Sequence, residues 1–375
     1  MCQKKQINHF IFNNNNNNNN NYIENQKKNS TKLKDYYKNI TNMMDFLKHQ
    51  KNTNFLKNFE LLHYINSGSS GIVYEGFHRA NPQKSICFKF LLNNYPKENK
   101  EKNINNYQNI REIYIQNKLK HKNIIEYYDF FDLNNLGCII MEYAKFGDLE
   151  YFQRILNKKR YFSETLLVYI AKQVLDGLYY LHKSKIVHMD IKPQNILIDD
   201  KLMIKLTDFS NSFILSEVPH NKKIFLPLCG TYLYMSPEIL SQSSIDFEDF
   251  NKIDLFSFGI VLYNLAYEQF PYDLNYSYKN NCDLMYKKIQ KEELKIPKIR
   301  NYSDTFINFL SGLLEKDIKK RTNIFEALEN PWIKGAELLF EEKEKIYDLE
   351  IFLINMITDN IRSFNEYLKN NIVEK

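Results

Sequence analysis

Five stretches between residues 59 and 143 have the composition and spacing of β-strands, with short apolar runs bounded by polar turns. They are Phe59 to Ile65, Ile72 to Phe77, Ser85 to Leu91, Ile125 to Asp132 and Cys138 to Tyr143. Between the third and the fourth stretch, apolar residues at Ile110, Ile113 and Leu119 predict a helix near residues 110–120.

From Leu149 to about Trp332 the apolar residues recur mostly at helical spacing. A run of strands followed by a run of helices predicts an α+β fold in which a small β-rich lobe precedes a larger, mostly α-helical lobe. The 43% of apolar residues in this chain of 375 residues is enough to bury a sizeable core.

The two ends of the chain follow other patterns. Residues 1–54 are polar and contain an unbroken asparagine run from Asn13 to Asn21, for which disorder is the default and a functional tether the alternative. The last segment has one apolar stripe from Ile346 to Leu368, which predicts a helix packed on its own domain or, alternatively, bound to a partner helix. The predicted boundaries are therefore 1–54, 55–335 and 336–375.

Charge and apolar run length exclude some partners. The net charge is only +6, from 51 basic and 45 acidic residues, which is too weak to indicate a nucleic acid or a membrane surface as partner. The longest apolar stretch, Leu255 to Leu265, is shorter than a membrane span of about 20 residues and predicts a buried helix. No membrane or nucleic-acid partner is therefore expected.

The five cysteines form no C-x-x-C pair and none has a histidine at zinc-site spacing. This is typical of reduced thiols, so the expected location is cytoplasmic, with the nucleus as the alternative.

The first candidate chemistry lies in the predicted β-rich lobe. A turn with Gly68 and Gly71 joins two strands, and glycine lets a backbone approach phosphates closely, although such a turn is more often only a hairpin. Lys89 lies among apolar strand residues and needs an anionic partner, for which Glu112 on the next helix is the candidate. Either feature alone would be a weak signal.

The two segments that most strongly indicate a catalytic function follow the first long helical stretch. The segment His188-Met189-Asp190-Ile191-Lys192-Pro193-Gln194-Asn195 is followed by Leu206-Thr207-Asp208-Phe209-Ser210. Phosphoryl transfer needs positioned metal ions, a carboxylate near the attacking hydroxyl and positive charge on the transferred group, and these segments supply all three.

With these motifs in this order, residues 59–332 resemble a eukaryotic protein kinase. The resemblance implies the two-lobed protein-kinase fold, with ATP and Mg²⁺ (or Mn²⁺) as cofactors and proteins as substrates. The nucleotide-binding positions that it implies are Asn66, Gly68, Gly71, Val73, Cys87, Lys89, Glu112, Met141, Glu142, Tyr143, Asp148 and Leu197.

The resemblance also assigns the catalytic positions. It implies that Asp190 accepts or orients the proton of the substrate hydroxyl and that Lys192 touches the γ-phosphate. It implies that Asn195 and Asp208 bind the metal. Lys192, together with Thr231 in Gly230-Thr231, indicates the serine/threonine type, in which Thr231 bridges the catalytic aspartate and lysine.

Two further matches have structural roles. Glu238 in Ser236-Pro237-Glu238 is expected to form an ion pair with Arg321, and Asp254 is expected to anchor the catalytic loop from a buried central helix.

Four residues depart from the family pattern: Asn66 at the first glycine of the turn, Met189 before the catalytic aspartate, Ser210 after Asp208-Phe209, and Gln116 at an aliphatic position of the family's internal spine. None removes a metal ligand, the base or the phosphate lysine. An active serine/threonine kinase is therefore the main hypothesis, and a nucleotide-binding pseudokinase acting as a scaffold is the alternative.

Two expectations concern regulation and substrates. Met189 has no charge to pair with a phosphate, so basal activity is not expected to need phosphorylation between Ser210 and Ser236. Of the groove positions that select upstream arginine in the family, Asp148, Gln194 and Asn264, only the first is charged, so a strong arginine preference is not expected.

Overall fold

The computed structural model describes residues 57–68, 71–91, 112–133, 136–156, 162–215, 223–224, 226–272, 281–297 and 302–335. By internal contacts the chain divides into two units, residues 1–60 and 61–375, and only residues 57–60 of the first unit are described. The asparagine run and the apolar stripe from Ile346 to Leu368 both lie outside the described residues.

The first lobe is built on a five-stranded sheet with the order β1-β2-β3-β5-β4. The strands are β1 Phe59–Ser67, β2 Gly71–His78, β3 Asn81–Leu91, β4 Tyr127–Asp132 and β5 Gly137–Glu142. Helix α1, described over residues 112–118, lies between β3 and β4 in the chain. The predicted β-rich lobe is confirmed, and the strand ends differ from the predicted ones by only a few residues.

The strand register decides which side chains of this sheet face the same way. In the antiparallel ladders Val73 lies opposite Lys89, and Cys87 lies opposite Met141. Because successive side chains of a strand alternate between faces, Lys89 and Cys87, two residues apart, share one face with these partners. The opposite face contains the fully buried rings of Phe88 and Phe90.

The second lobe is mostly helical, as predicted. Its helices are α2 Leu149–Leu156, α3 Glu164–Lys183, α4 Pro237–Leu240, α5 Asn251–Tyr267, α6 Cys282–Lys291, α7 Asp304–Leu313 and α8 Ile324–Glu329. Side-chain oxygens of Ser163, Asn281, Ser303 and Asn323 accept hydrogen bonds from first-turn N–H groups and so fix the starts of α3, α6, α7 and α8. Helix α5 is almost entirely buried, which confirms the predicted buried helix at Leu255 to Leu265.

Six short strands in this lobe were not predicted, because two or three residues are too few to give a periodic pattern. They form three antiparallel pairs: β6 Ile186–Val187 with β9 Phe213–Ile214, β7 Ile196–Ile198 with β8 Ile204–Leu206, and β10 Lys223–Ile224 with β11 Ile245–Asp246. The pairs β6–β9 and β7–β8 flank the loop that contains Asp190 and Asn195. They also flank Asp208, which follows β8 in the chain.

Two buried carboxylates, Glu238 and Asp254, connect segments of the second lobe. The Arg321 guanidinium donates to both carboxylate oxygens of Glu238, at 2.6 and 3.0 Å, so the expected ion pair is present. The Asp254 carboxylate on α5 accepts from the backbone N–H groups of His188 and Met189, each at 2.9 Å.

Within the described residues, we find no helix whose length and apolar content would let it cross a membrane.

Candidate active site

A cavity of about 430 Å³ lies at the side of the sheet that holds Lys89 and Cys87. Its lining includes residues of β1, β2, β3 and β5, the segment after β5, and the loops around β7 and β8. Among the residues proposed from sequence, it brings together Asn66, Gly68, Gly71, Val73, Cys87, Lys89, Met141, Glu142, Tyr143, Asp148, Lys192, Asn195, Leu197, Asp208 and Thr231. Glu112 and Asp190 lie behind this lining, and each is bonded to a residue that forms it.

At the inner end of the cavity, Lys89 contacts two carboxylates. Its Nζ lies 2.5 Å from Glu112 Oε1 on α1 and 2.9 Å from Asp208 Oδ1 after β8. Lys89 and Glu112 are both buried, so a charge on either side chain would be costly without a partner. The ion pair expected from the sequence is therefore present, and Asp208 belongs to the same cluster.

Lys89 and Asp208 stabilise each other's charges, whereas burial raises the pKa of Glu112 above its ordinary value although Lys89 lies beside it. Burial alone would lower the pKa of the Lys89 ammonium, but Asp208 and Glu112 raise it above its ordinary value. Burial opposes ionisation of Asp208 as well, yet Lys89 and a hydrogen bond from Ser210 lower its pKa to about 2. At neutral pH the cavity thus has a carboxylate at Asp208 and an ammonium at Lys89.

The Asp190 carboxylate is held on both oxygens. Lys192 Nζ donates to Oδ2 at 2.7 Å, and Asn195 Nδ2 donates to the same oxygen at 3.2 Å. Thr231 donates to Oδ1 through its backbone N–H and its hydroxyl, both at 2.9 Å. Lys192 Nζ also donates to Thr231 Oγ1 at 2.9 Å, so the threonine bridges the aspartate and the lysine as expected.

The backbone that brings these groups together is tightly constrained. Gly230 has a positive φ of 98°, and a Cβ at this position would lie 2.3 Å from the carbonyl oxygen of Met189. Met189 itself has a φ of 68° and is stabilised by its hydrogen bond to Asp254. A side chain at Gly230 would therefore separate the Thr231 segment from the Asp190 loop.

The outer end of the cavity is lined by the segment that joins the lobes. Glu142 lines the cavity; its carboxylate is ion-paired with Lys205 at 2.7 Å, and its backbone N–H donates to Glu126 O at 2.8 Å. Burial, and then the nearby Glu75, raise the pKa of Tyr143 to about 12, so its hydroxyl stays protonated. Asp148 caps α2 by accepting from Tyr151 N at 2.8 Å, and burial raises the pKa of its carboxyl.

Two departures from the family pattern have simple structural consequences. Asn66 does not adopt a positive φ: it lies within β1, and its side chain accepts from Ser67 N at 2.8 Å. Ser210 lies in the short 3-10 turn Phe209–Asn211, and its side chain contributes to the lowered pKa of Asp208. Neither residue disturbs the groups described above.

Several lining residues were missed from the sequence. Ile65 and Ala144 line the cavity and lie next to a motif without belonging to it, and Thr207 lines it from within a quoted motif in which it was given no role. Glu150 was also missed: it accepts from Gln194 Nε2 at 2.8 Å, so a second carboxylate adjoins the wall that contains Asp148. The expectation of no arginine preference counted Asp148 alone and is weakened by this contact.

Comparison with known proteins identifies the family of the chain. Residues 59–333 match the family described as protein kinase domain. The chain is 33% identical over 290 residues to "Serine/threonine-protein kinase TIO" of Arabidopsis thaliana, which covers 77% of this chain and 20% of that protein. It is 33% identical over 288 residues to "Serine/threonine-protein kinase 36" of Pongo abelii, covering 76% of this chain and 20% of that protein.

A third relative is closer in length. "CBL-interacting serine/threonine-protein kinase 14" of Arabidopsis thaliana is 30% identical over 292 residues, which cover 78% of this chain and 61% of that protein. The chain spans about a fifth of the length of the first two relatives. Since the family match covers most of the chain, this protein belongs to the protein kinase family.

Proposed function

We propose that the chain is a serine/threonine protein kinase that transfers the γ-phosphate of ATP to serine or threonine hydroxyls of proteins. The observation that supports this most strongly is the convergence of two networks on one cavity. One contains Lys89, Glu112 and Asp208, and the other contains Asp190 and Lys192 bridged by Thr231.

ATP is proposed to bind in the cavity with its base between the sheet and the second lobe. Val73, Cys87 and Met141 line the sheet side, and Leu197 lines the opposite side. The backbone of Glu142 and Tyr143 is proposed to bind the edge of the base, and Asp148 is proposed to bind the ribose.

The phosphates are proposed to lie under the turn that contains Gly68 and Gly71. A Cβ at Gly71 would lie 2.5 Å from the carbonyl oxygen of Phe90, so this strand can approach closely only with glycine. Lys89 would hold the α- and β-phosphates, and Glu112 would keep its ammonium in place.

Asn195 and Asp208 are proposed to hold Mg²⁺ or Mn²⁺. Their oxygen donors fit a hard divalent cation, which in such sites is bound by one or two carboxylates together with substrate phosphates. Phosphate oxygens and water would complete the coordination of the metal. Bound there, the metal would neutralise charge that develops on the phosphates.

Asp190 is proposed to accept or orient the proton of the attacking hydroxyl, and Lys192 to approach the γ-phosphate. Because Thr231 holds both, its hydroxyl should be needed for their geometry. We expect Thr231→Val to lower kcat about tenfold or more, since two hydrogen bonds to charged groups are lost. Initial rates of peptide phosphorylation measure this.

Thr231→Ser is the matched control, because it restores the hydroxyl without the methyl group and should recover most of the rate. A valine variant as active as wild type would show that the bridge is not required.

In the segment from Ser210 to Ser236, the described residues 210–215, 223–224 and 226–236 are proposed to be held by packing, so that phosphorylation adds little. Leu215 and Ile224 are buried, and β10 is paired with β11. Ser212 is fully buried and its hydroxyl donates to His188 O at 3.2 Å, which makes it a poor acceptor of phosphate.

We expect phosphatase treatment, or Ser216→Ala, to leave the initial rate within about twofold; Ser216 lies outside the described residues. A fall of about tenfold, equivalent to ~1.4 kcal/mol of barrier, would show that phosphorylation of this segment matters.

The test of the proposed activity is phosphate transfer by pure protein from ATP to a generic protein substrate, with Asp190→Asn as the control. Transfer that requires Mg²⁺ or Mn²⁺ and is lost in Asp190→Asn supports a kinase. ATP binding without any transfer would favour the pseudokinase scaffold, although every group that pseudokinases commonly lack is present here.

We propose that the catalytic domain spans residues 55–335. The segments 1–54 and 336–375, including a partner helix for the second, stay predictions, as do a cytoplasmic location and the choice between Mg²⁺ and Mn²⁺.

A further inference from the structure

Helix α1 contains two buried polar side chains whose hydrogen bonds are incomplete. Glu112 and Gln116 are 0% and 1% exposed. Glu112 Oε1 is bonded to Lys89, but Oε2 has no partner among the described residues, and neither does Gln116 Nε2 or Oε1. A buried donor or acceptor left without a partner is costly, so these atoms need an explanation.

Gln116 follows Glu112 by four residues, which places both on the same face of the helix, one turn apart. One side chain thus has a free acceptor and the other a free donor, within the range at which such pairs interact along a helix. A bond between them would give Glu112 Oε2 a donor and Gln116 Nε2 an acceptor, and would leave Gln116 Oε1 and the second N–H of the amide without a described partner.

We propose that Gln116 is a positioning residue, whose side-chain amide donates to Glu112 Oε2 in the working enzyme. Glu112 is then held at both oxygens, by Lys89 and by Gln116, and Lys89 is held in turn for the ATP phosphates. The departure at Gln116 would accordingly support the ion pair rather than weaken it. This inference rests on the proposed function for its kinetic consequences only.

If Gln116 has no positioning role, its replacement by an apolar residue should have the opposite effect on stability and activity. If the Gln116 amide were merely an unsatisfied polar group in an apolar interior, an apolar side chain of similar volume would stabilise the helix and preserve or raise activity.

The test is Gln116→Met in the full chain, which keeps the side-chain length and removes the amide. We expect the Kd for ATP and the KM for ATP to rise about tenfold, since a hydrogen bond to a charged group is lost. The melting temperature should fall as well, because Glu112 Oε2 is then buried without a donor. Gln116→Leu is a second apolar variant with the same expectation, and Asn117→Ala, at an exposed position of the same helix, should leave both constants unchanged.

The decisive comparison is made in the Glu112→Ala background, with Kd measured by calorimetry so that activity is not needed. If Gln116 acts through Glu112, Gln116→Met should not weaken ATP binding further there. An unchanged or tighter Kd in the single variant, or an equal loss in both backgrounds, overturns the proposal. Wild-type protein that binds ATP but transfers no phosphate would refute the proposed function and leave this test intact.

Discussion

Asp208→Ala is expected to reduce phosphate transfer by at least ~10²–10⁴-fold, the range typical for removal of a positioned catalytic group. Asp208 is the carboxylate of the cavity whose pKa is lowered to about 2, so it is fully charged at any working pH. Its loss removes a proposed metal ligand and one of the two partners of Lys89. Initial rates at saturating ATP and metal measure the effect.

Asp200→Ala is the matched control, because Asp200 is an exposed aspartate in the turn between β7 and β8. It should leave the rate unchanged. Unimpaired transfer by Asp208→Ala would contradict the assignment of the metal site.

Arg321→Ala is expected to destabilise the protein by ~3–5 kcal/mol, because it leaves the buried Glu238 carboxylate without its partner. The Arg321 side chain is fully buried; it also donates to Glu315 O at 2.8 Å and lies 4.8 Å from the centre of the Phe256 ring. A loss of this size is a large part of the stability of a domain. The melting temperature should fall by on the order of 10 °C.

Lys320→Ala provides the comparison, since the neighbouring Lys320 side chain is 76% exposed and should change stability by less than ~0.5 kcal/mol. Arg321→Lys should be intermediate, because lysine keeps the charge but not the two-pronged contact. Equal melting curves for Arg321→Ala and wild type would show that the pair does not stabilise the fold.

The strands of the first lobe could be predicted because each is long enough to show a pattern of apolar residues. Asp190, Lys192 and Asn195 could be predicted because phosphoryl transfer restricts both residue type and spacing. The nucleotide-binding positions came from the family resemblance. The bridge through Thr231 was expected from the family resemblance. The structure gives the lengths of its hydrogen bonds to Asp190 and Lys192.

Other features depend on contacts that no local pattern contains. Glu150 meets Gln194 only because α2 packs beside the catalytic loop, so its carboxylate could not be counted in advance. No local pattern indicated that Ser210 would lower the pKa of Asp208, or that Asn66 would stay in an ordinary strand conformation. The short strands β6 to β11 form because distant segments meet, not because two residues prefer an extended backbone.

The central claim is tested most directly by phosphorylation of three matched peptides that differ only in carrying serine, threonine or tyrosine. Pure protein with ATP and Mg²⁺ or Mn²⁺ is compared with Asp190→Asn, and the modified residue is identified by mass spectrometry. We expect phosphate on serine or threonine and none on tyrosine, with the variant reduced by ~10²–10⁴-fold. Predominant phosphotyrosine, or equal incorporation by Asp190→Asn, would contradict the account.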